Sequence, residues 1–178
     1  MKKFICRRCG KCCTDIGGRF SEDESRKIER AFRTLEKYGL YLVIPPEKFS
    51  IPLSPEEKTL MEKLSREKGV NFNPVPKLIL VNAKGIVRVI EWDLGSRRCP
   101  FYSEEKGCII YRYRPLACKS FPVIMEADGF KLLDLCPETK NFSPDEIEIA
   151  FENECLHARK FSERVKSIKR KIIEGQKD

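Results

Sequence analysis

Apolar positions recur at helical spacing in the first third of the chain. A capping-box pattern opens at Ser21, and the apolar residues that follow it three or four apart predict an amphipathic helix ending at Gly39. A second capping box at Ser54 predicts another helix, which ends at Gly69. Between them lies a short apolar run over residues 40–44. We expect both helices to serve as scaffold.

The pattern then changes to β-branched and apolar residues with turn residues between the runs. One predicted hairpin joins residues 78–81 to residues 86–92 and leads on towards a Cys-Pro pair. A second joins residues 123–125 to residues 130–133 and also stops just before a Cys-Pro pair. Several cysteines are therefore expected at strand ends and turns.

The last part of the chain predicts one long amphipathic helix over residues 143–174, opened by a capping box at Ser143 and bent near Asn153. Cys155 falls on its apolar stripe, which predicts core packing. His157 is the only histidine and lies off that stripe, so it is expected at the surface. A Cys-His or Ser-His-Asp catalytic arrangement would depend on this one residue for its base.

The composition of the chain indicates the cellular compartment in which the protein is expected. No stretch approaches the roughly 18 apolar residues of a membrane helix, and no apolar signal region follows the first lysines, so we expect a cytoplasmic protein without a membrane partner. Thiols stay reduced there, and nine cysteines suit metal binding better than a disulfide framework. The charged content of 35% and the single glutamine predict a thermophile. Because hyperthermophile cytosol tolerates disulfides, that alternative stays open.

The net charge of +8 is concentrated at the two ends of the chain, and the middle is close to neutral. No aromatic residues interleave with the basic ones as a stacking platform would require. We therefore interpret both ends as solvated faces, and nucleic acid is not an expected partner. An adaptor that uses the basic termini is the alternative.

Two sets of cysteines carry the chemistry. Cys6-x2-Cys9-x2-Cys12-Cys13 has spacings that let tight turns aim two thiolates at one centre, with Gly10 assisting the turn. The second set is more widely spaced and lies at loop ends beside proline or glycine, and its members are Cys99, Cys108, Cys118 and Cys136. Both sets are predicted metal ligands.

Tetrahedral sulfur sites suit zinc and iron-sulfur clusters alike. Two successive x2 steps with a remote Cys-Pro are typical of the bacterial ferredoxin run, which favours a 4Fe-4S cluster over zinc. The candidate ligands of one such cluster are Cys6, Cys9, Cys12 and one of Cys99 or Cys136. Eight cysteines would also fill two four-sulfur sites, with the adjacent Cys12 and Cys13 in different centres, and the spacing does not divide them.

The combined pattern resembles the YkgJ family of cysteine-cluster proteins, which is described as a zinc- or iron-chelating domain and is related to flagellin lysine N-methylase. The residues that carry the resemblance are the first motif, then Cys99-Pro100-Phe101, then the stretch from Cys108 to Pro122, and then Cys136-Pro137. The resemblance implies chelation through eight cysteines. A cluster-dependent enzyme, such as a protein lysine N-methylase or a redox protein acting on a protein substrate or partner, is the alternative. The chain shows no Gly-rich cradle for an adenosine cofactor, and no catalytic residue is assigned.

Two residues between the cysteines are candidates for contact with the cofactor. Tyr111 and Arg114 have the chemistry to pack and hydrogen-bond around a thiolate site, with Arg114 donating towards sulfur or a ligand carboxylate. A surface ion pair is the alternative role for Arg114.

Length and pattern together predict the fold class. A chain of 178 residues with 41% apolar residues fits one domain, residues 1–178. We expect a small α+β, Cys-rich, metal-organised domain with short β-hairpins, flanked by amphipathic helices. Its cysteine-cluster core would comprise residues 1–20 and 95–140, with a helical insertion over 21–69 and the C-terminal helix over 143–174.

Overall fold

The computed structural model describes residues 2–18 and 20–174 and has the mixed α+β composition that the sequence predicts. Its α-helices are α1 Lys11–Thr14, α2 Glu22–Glu36, α3 Pro55–Lys68, α4 Leu116–Ser120, α5 Ile147–Ala150 and α6 Glu152–Glu174. Its strands are β1 Leu40–Leu42, β2 Pro52–Leu53, β3 Val75–Val81, β4 Val87–Asp93, β5 Tyr102–Ser103, β6 Gly107–Cys108, β7 Val123–Glu126 and β8 Gly129–Leu132. Short 3-10 turns cover Pro46–Lys48, Tyr111–Tyr113, Pro137–Asn141 and Pro144–Glu146. Within the described residues, no helix combines the length and apolar character needed to cross a bilayer.

The two predicted scaffold helices are confirmed, and so are the side chains that begin them. At the start of α2 the Ser21 N–H donates to the Glu24 carboxylate over 2.8 Å, and the Glu24 N–H donates to the Ser21 hydroxyl. The same reciprocal pair starts α3 between Ser54 and Glu57. Gly69 then ends α3 in the left-handed conformation, at φ 64°. Each capping box satisfies backbone donors that a helix start otherwise leaves unpaired.

The first predicted hairpin is confirmed as β3 and β4, and it forms the centre of a four-stranded antiparallel sheet with the order β1-β3-β4-β2. The two edge strands were not predicted. They span only three and two residues, too few for an alternating pattern to be recognised, and they form because the neighbouring strands offer free hydrogen-bonding edges.

Two smaller hairpins follow. The predicted one is confirmed as β7 and β8, which pair Val123 with Leu132. The other, β5 and β6, falls where the sequence showed only a turn-like stretch before a cysteine, and it pairs Tyr102 with Cys108. Each of its strands is two residues long, so tertiary contacts hold it in place.

The predicted C-terminal helix is two helices. The backbone leaves helical geometry at Phe151, with φ −116° and ψ 36°, and this break between α5 and α6 lies two residues before the expected bend at Asn153. The capping box at Ser143 is present, but it opens a 3-10 turn that leads into α5. Phe151 is fully buried and packs on Phe4 and Phe142, so core packing determines where the helix breaks.

Among the residues that the structure describes, three hydrophobic clusters form the core. The largest joins α3, the strand ends around Leu53 and Leu94, and Phe101, and Cys99 and Cys108 pack against its margin. A second surrounds Phe151 and includes Cys155, which is only 4% exposed, so its predicted role in core packing is confirmed. The third packs the C-terminal end of α6 on β1 and β3. The cysteine motifs lie beside the first two clusters.

Candidate metal centre

The N-terminal cysteine motif curls through a left-handed glycine into a short helix. Gly10 has φ 78°, and its carbonyl accepts hydrogen bonds from the N–H groups of Cys13 and Thr14 at 2.7 and 2.9 Å. A Cβ at Gly10 would overlap the Tyr102 ring, so both the left-handed backbone and the close packing at this position require glycine. The turn therefore presses the first motif against the β5–β6 hairpin, on which part of the second set lies.

A short ladder of backbone hydrogen bonds ties the second set of cysteines to the first. The Cys99 N–H donates to the Cys13 carbonyl over 2.7 Å, and the Ile16 N–H donates to the Arg97 carbonyl over the same distance. Pairing of β5 with β6 then returns Cys108 to a position opposite Tyr102. Cys99 and Cys108 are thus brought beside the α1 turn, although about 90 residues separate them from it in sequence.

Cys118 lies on α4, which brings it to the same region as Cys99 and Cys108. Arg114 precedes this helix, and its guanidinium donates to the carbonyls of Tyr111, over 3.0 Å, and Cys118, over 3.4 Å. The helix is only five residues long, and the Leu116 N–H at its start donates to the Glu57 carboxylate over 2.6 Å. Anchors from two directions therefore hold Cys118 in place.

Four thiols form what we name the central group: Cys12, Cys99, Cys108 and Cys118. Each pair of them lies close enough for the charge of one thiolate to raise the pKa of another. Burial is the largest cause of the raised pKa of the last three, and it brings that of Cys99 to about 11. Arg114 opposes the shift at Cys12, Cys108 and Cys118. Without a cation, all four thiols are held in the neutral form.

The hydrogen bond with Cys13 is the largest cause of the raised pKa of the Cys12 thiol, followed by burial and by the charge of Cys13. The two sulfur atoms lie 3.9 Å apart. Cys13 therefore lies at the edge of the central group, in direct contact with one of its members.

Three other thiols form what we name the outer group: Cys6, Cys9 and Cys136. Burial is the largest cause that raises the pKa of Cys136, and the charges of Cys12, Cys6 and Cys9 raise it further. The segments that carry these thiols meet through an ion pair between Arg7 and Glu138, whose nearest nitrogen and oxygen are 3.3 Å apart. Cys9 is exposed, whereas Cys136 is buried. The two groups adjoin where Cys12 and Cys13 meet.

A cationic stack lies beside these thiols. The guanidinium carbons of Arg8 and Arg114 lie 4.2 and 3.8 Å from the centre of the Tyr111 ring. Both guanidinium groups therefore lie within cation–π distance of the same ring. Both arginines lower the pKa of Cys108. Arg114 thus donates hydrogen bonds to two backbone carbonyls and contacts the Tyr111 ring. Its positive charge also acts on the nearby thiols.

Sequence reasoning missed two residues of this region. Arg8 was counted only among the basic terminal residues, and its role depends on an unusual positive φ of 54° that no residue pattern signals. Glu154, on α6, is half-buried, and burial raises its pKa while Arg114 lowers it. Its proximity to Arg114 arises because α4 packs on α6, a contact between segments that are distant in sequence.

The donor chemistry fits a thiophilic metal. All nine cysteines are free thiols, and the eight of the two motifs lie along one continuous region. Within residues 2–18 and 20–174, however, no three His, Cys, Asp or Glu side chains are arranged so that they could hold a metal ion as they stand. Binding a single ion therefore requires the thiol side chains to rotate inwards.

Comparison with known families gives one match. The family model described as "putative zinc- or iron-chelating domain" matches residues 5–155, so it spans both cysteine sets and the helices and sheet between them. Comparisons with curated proteins and with solved structures find no significant match. The match covers well over half of the chain, and it begins one residue before the first cysteine of the N-terminal motif and ends at Cys155. The chain belongs to the CxxCxxCC family of zinc- or iron-chelating domains, the same family that its cysteine pattern resembles.

Proposed function

We propose that this protein holds an iron-sulfur cluster or zinc through its eight motif cysteines, with the 4Fe-4S cluster as the preferred form. The observation that carries the proposal is the central group, in which each of four thiols lies within electrostatic reach of the other three. Thiols from four separate parts of the chain repel one another once they are ionised. A bound metal cation would offset this repulsion, which explains why the fold brings the four thiols together.

The cationic stack supports this reading. Four thiolates around a divalent ion leave a net charge of about −2, and burial of such a charge is costly without compensation. Arg8 and Arg114 supply two positive charges at the Tyr111 ring, beside the central group. When a metal centre is bound, it would keep the thiols ionised, and these arginines would stabilise the resulting negative charge.

The cysteine spacing supports the iron-sulfur form. Two successive C-x2-C steps with a remote Cys-Pro are typical of iron-sulfur proteins, whereas zinc ribbons usually supply two separate C-x2-C pairs, and this sequence has no second pair. The proposal places this function in a reducing, thermophile cytoplasm, where thiols stay available for metal.

The test is metal analysis of the protein purified without oxygen. We expect iron and sulfide, with absorbance near about 400 nm from thiolate-to-iron charge transfer, and a Cys99→Ser/Cys118→Ser variant should lose at least half of the metal. Cys155→Ala is the matched control, because this thiol is buried in the core away from both groups. Zinc in place of iron would overturn the preferred form. Full metal content in the double variant would overturn the role of the central group.

A further inference from the structure

The loop that carries Cys6 and Cys9 is anchored at both ends. At its start the Phe4 ring packs in the second hydrophobic cluster, and at its end Gly10 turns the chain into α1. Residues 5–9 lie between these anchors and belong to no helix or strand. Their placement therefore depends on side-chain contacts rather than on a hydrogen-bonded element.

Within this loop, Arg8 has a backbone conformation that favours glycine. Its φ of 54° lies in the left-handed region, where a side chain is sterically unfavourable. If the turn were the only requirement, glycine would meet it better, as it does at Gly10. The presence of arginine therefore indicates that its side chain makes contacts that outweigh the backbone strain.

The Arg8 side chain contacts the segment that carries Cys108. A Cβ added at Gly107 would lie 3.3 Å from the Arg8 Cβ and 3.6 Å from its Cδ, so the stem of the arginine packs closely over this glycine. The guanidinium carbon lies 4.2 Å from the centre of the Tyr111 ring. Gly107 directly precedes Cys108 and Tyr111 follows it by three residues, so Arg8 contacts the chain on both sides of this thiol.

The contact continues through Tyr111 to α4. The Arg114 guanidinium carbon lies 3.8 Å from the centre of the same ring, and its nitrogen atoms donate to the carbonyls of Tyr111 and Cys118 over 3.0 and 3.4 Å. Arg8, Tyr111 and Arg114 thus form a continuous path from the N-terminal loop to α4. This path joins the two cysteine sets whichever thiols share a centre.

We propose that Arg8 is a positioning residue that fastens the loop carrying Cys6 and Cys9 to the segment carrying Cys108. This inference rests on the proposed function, and it adds a role for the Arg8 side chain that is separate from its positive charge. Packing of the stem and of the planar guanidinium holds the loop in place, so removal of the side chain lets the loop open and releases metal sooner.

The test follows metal loss to a chelator from the full-length protein loaded with zinc or with an iron-sulfur cluster. Arg8→Gly keeps the left-handed turn and removes the side chain, and we expect it to speed metal loss about tenfold or more. Arg7→Gly is the matched control, because it removes the same charge from the same loop. The Arg7 side chain is 73% exposed and pairs with Glu138 over 3.3 Å, so its loss should change the rate little.

A second readout locates the effect. Amide hydrogen exchange of the loaded proteins should rise in residues 5–9 of Arg8→Gly and stay near the wild-type rate in Arg7→Gly. Unchanged exchange in the β3–β4 hairpin shows that a variant is folded. If Arg8→Gly does not fold, the milder Arg8→Lys decides the proposal on the same two readouts.

Two further variants separate contact from charge. Arg8→Lys retains the charge but not the planar guanidinium, so it should recover only part of the wild-type retention of metal. Tyr111→Leu removes the ring, and addition of Arg8→Gly to it should speed metal loss little further, because the two side chains act largely through one contact.

Several results would overturn the proposal. Equal rates for Arg8→Gly and Arg7→Gly would show that the side chain of Arg8 has no special role, and full retention of metal by Arg8→Lys would show that charge alone matters. Fully additive effects of the Arg8 and Tyr111 substitutions, or faster metal loss without faster exchange in residues 5–9, would contradict the shared contact. A wild-type protein that binds neither zinc nor an iron-sulfur cluster would overturn the proposed function itself, and that result is distinct because all the others require a loaded wild type.

Discussion

Gly10 shows how one residue controls the first cysteine turn. Its φ of 78° is costly for any residue with a side chain, and the Tyr102 ring fills the space that a Cβ would need. The sequence suggested a glycine-assisted turn here, because a C-x2-C step needs a tight bend. It held no sign of Tyr102, which arrives from the β5–β6 hairpin.

We predict that Gly10→Ala destabilises the protein by more than the roughly 1–2 kcal/mol expected for a left-handed alanine alone, because Tyr102 must also move. Metal content should fall with it. Gly85→Ala is the matched control, since Gly85 has φ 74° and no atom within 4 Å of the added Cβ. Urea unfolding of the two variants measures the difference, and equal losses would show that the Tyr102 contact contributes nothing.

Cys155 provides a prediction on pH. Burial raises the pKa of its thiol from 9.0 to about 11, and because the folded state favours the protonated thiol, this contribution to stability is present below about pH 9. It is lost as pH rises through 11. In metal-free protein, the free energy of unfolding should therefore fall less steeply between pH 9 and 11 for Cys155→Ala than for the wild type. Parallel curves from chemical denaturation would contradict this.

At the scale of elements, three helices meet at one carboxylate. Glu57 caps the start of α3, accepts the Leu116 N–H at the start of α4, and pairs with Arg164 of α6 over 2.6 Å. About four-fifths of each charged side chain is buried. The capping box was visible in the sequence, but its second and third partners lie 59 and 107 residues away.

We predict that Glu57→Ala lowers the free energy of unfolding by about 3 kcal/mol or more, because it leaves the Arg164 charge buried without a partner. The α4 segment that carries Cys118 should also become less ordered. Glu67→Ala on the same helix is the control, since this carboxylate is exposed and its ion pair with Lys63, 3.9 Å long, lies at the surface. Thermal or urea unfolding reports stability, and a loss no larger than that of the control would show that the three-helix contact is weak.

At the scale of the whole molecule, a well-paired sheet contrasts with a cysteine region that lies beside two of the hydrophobic clusters. The β3–β4 hairpin is hydrogen-bonded along its length and flanked by β1 and β2. The cysteine region instead consists of very short elements joined by single hydrogen bonds. Its order should therefore depend on bound metal.

We predict that removing metal speeds amide hydrogen exchange about tenfold or more in residues 4–18 and 97–137, and leaves exchange in the β3–β4 hairpin nearly unchanged. The comparison is made on the same protein before and after chelation. Uniform acceleration throughout the chain would show that the metal stabilises the molecule as a single cooperative unit. No change anywhere would show that the cysteine region folds without metal.

The sequence by itself determined the local elements and the chemistry. Capping boxes at Ser21 and Ser54, the alternation in β3 and β4, and the C-x2-C-x2-C-C spacing are short-range signals, since the interacting groups lie within a few residues of one another. They were enough to predict two scaffold helices, two hairpins, the buried Cys155 and the zinc- or iron-chelating family.

Only the tertiary structure decided which cysteines are neighbours. Cys99 meets Cys13 through one backbone hydrogen bond, and Cys136 meets the N-terminal motif through aromatic packing on Phe151, so neither contact has a periodic signature. The same packing moved the helix break from Asn153 to Phe151. Contacts between segments about 90 to 130 residues apart depend on how the hydrophobic clusters pack together. The spacing of residues along the chain does not reveal that packing.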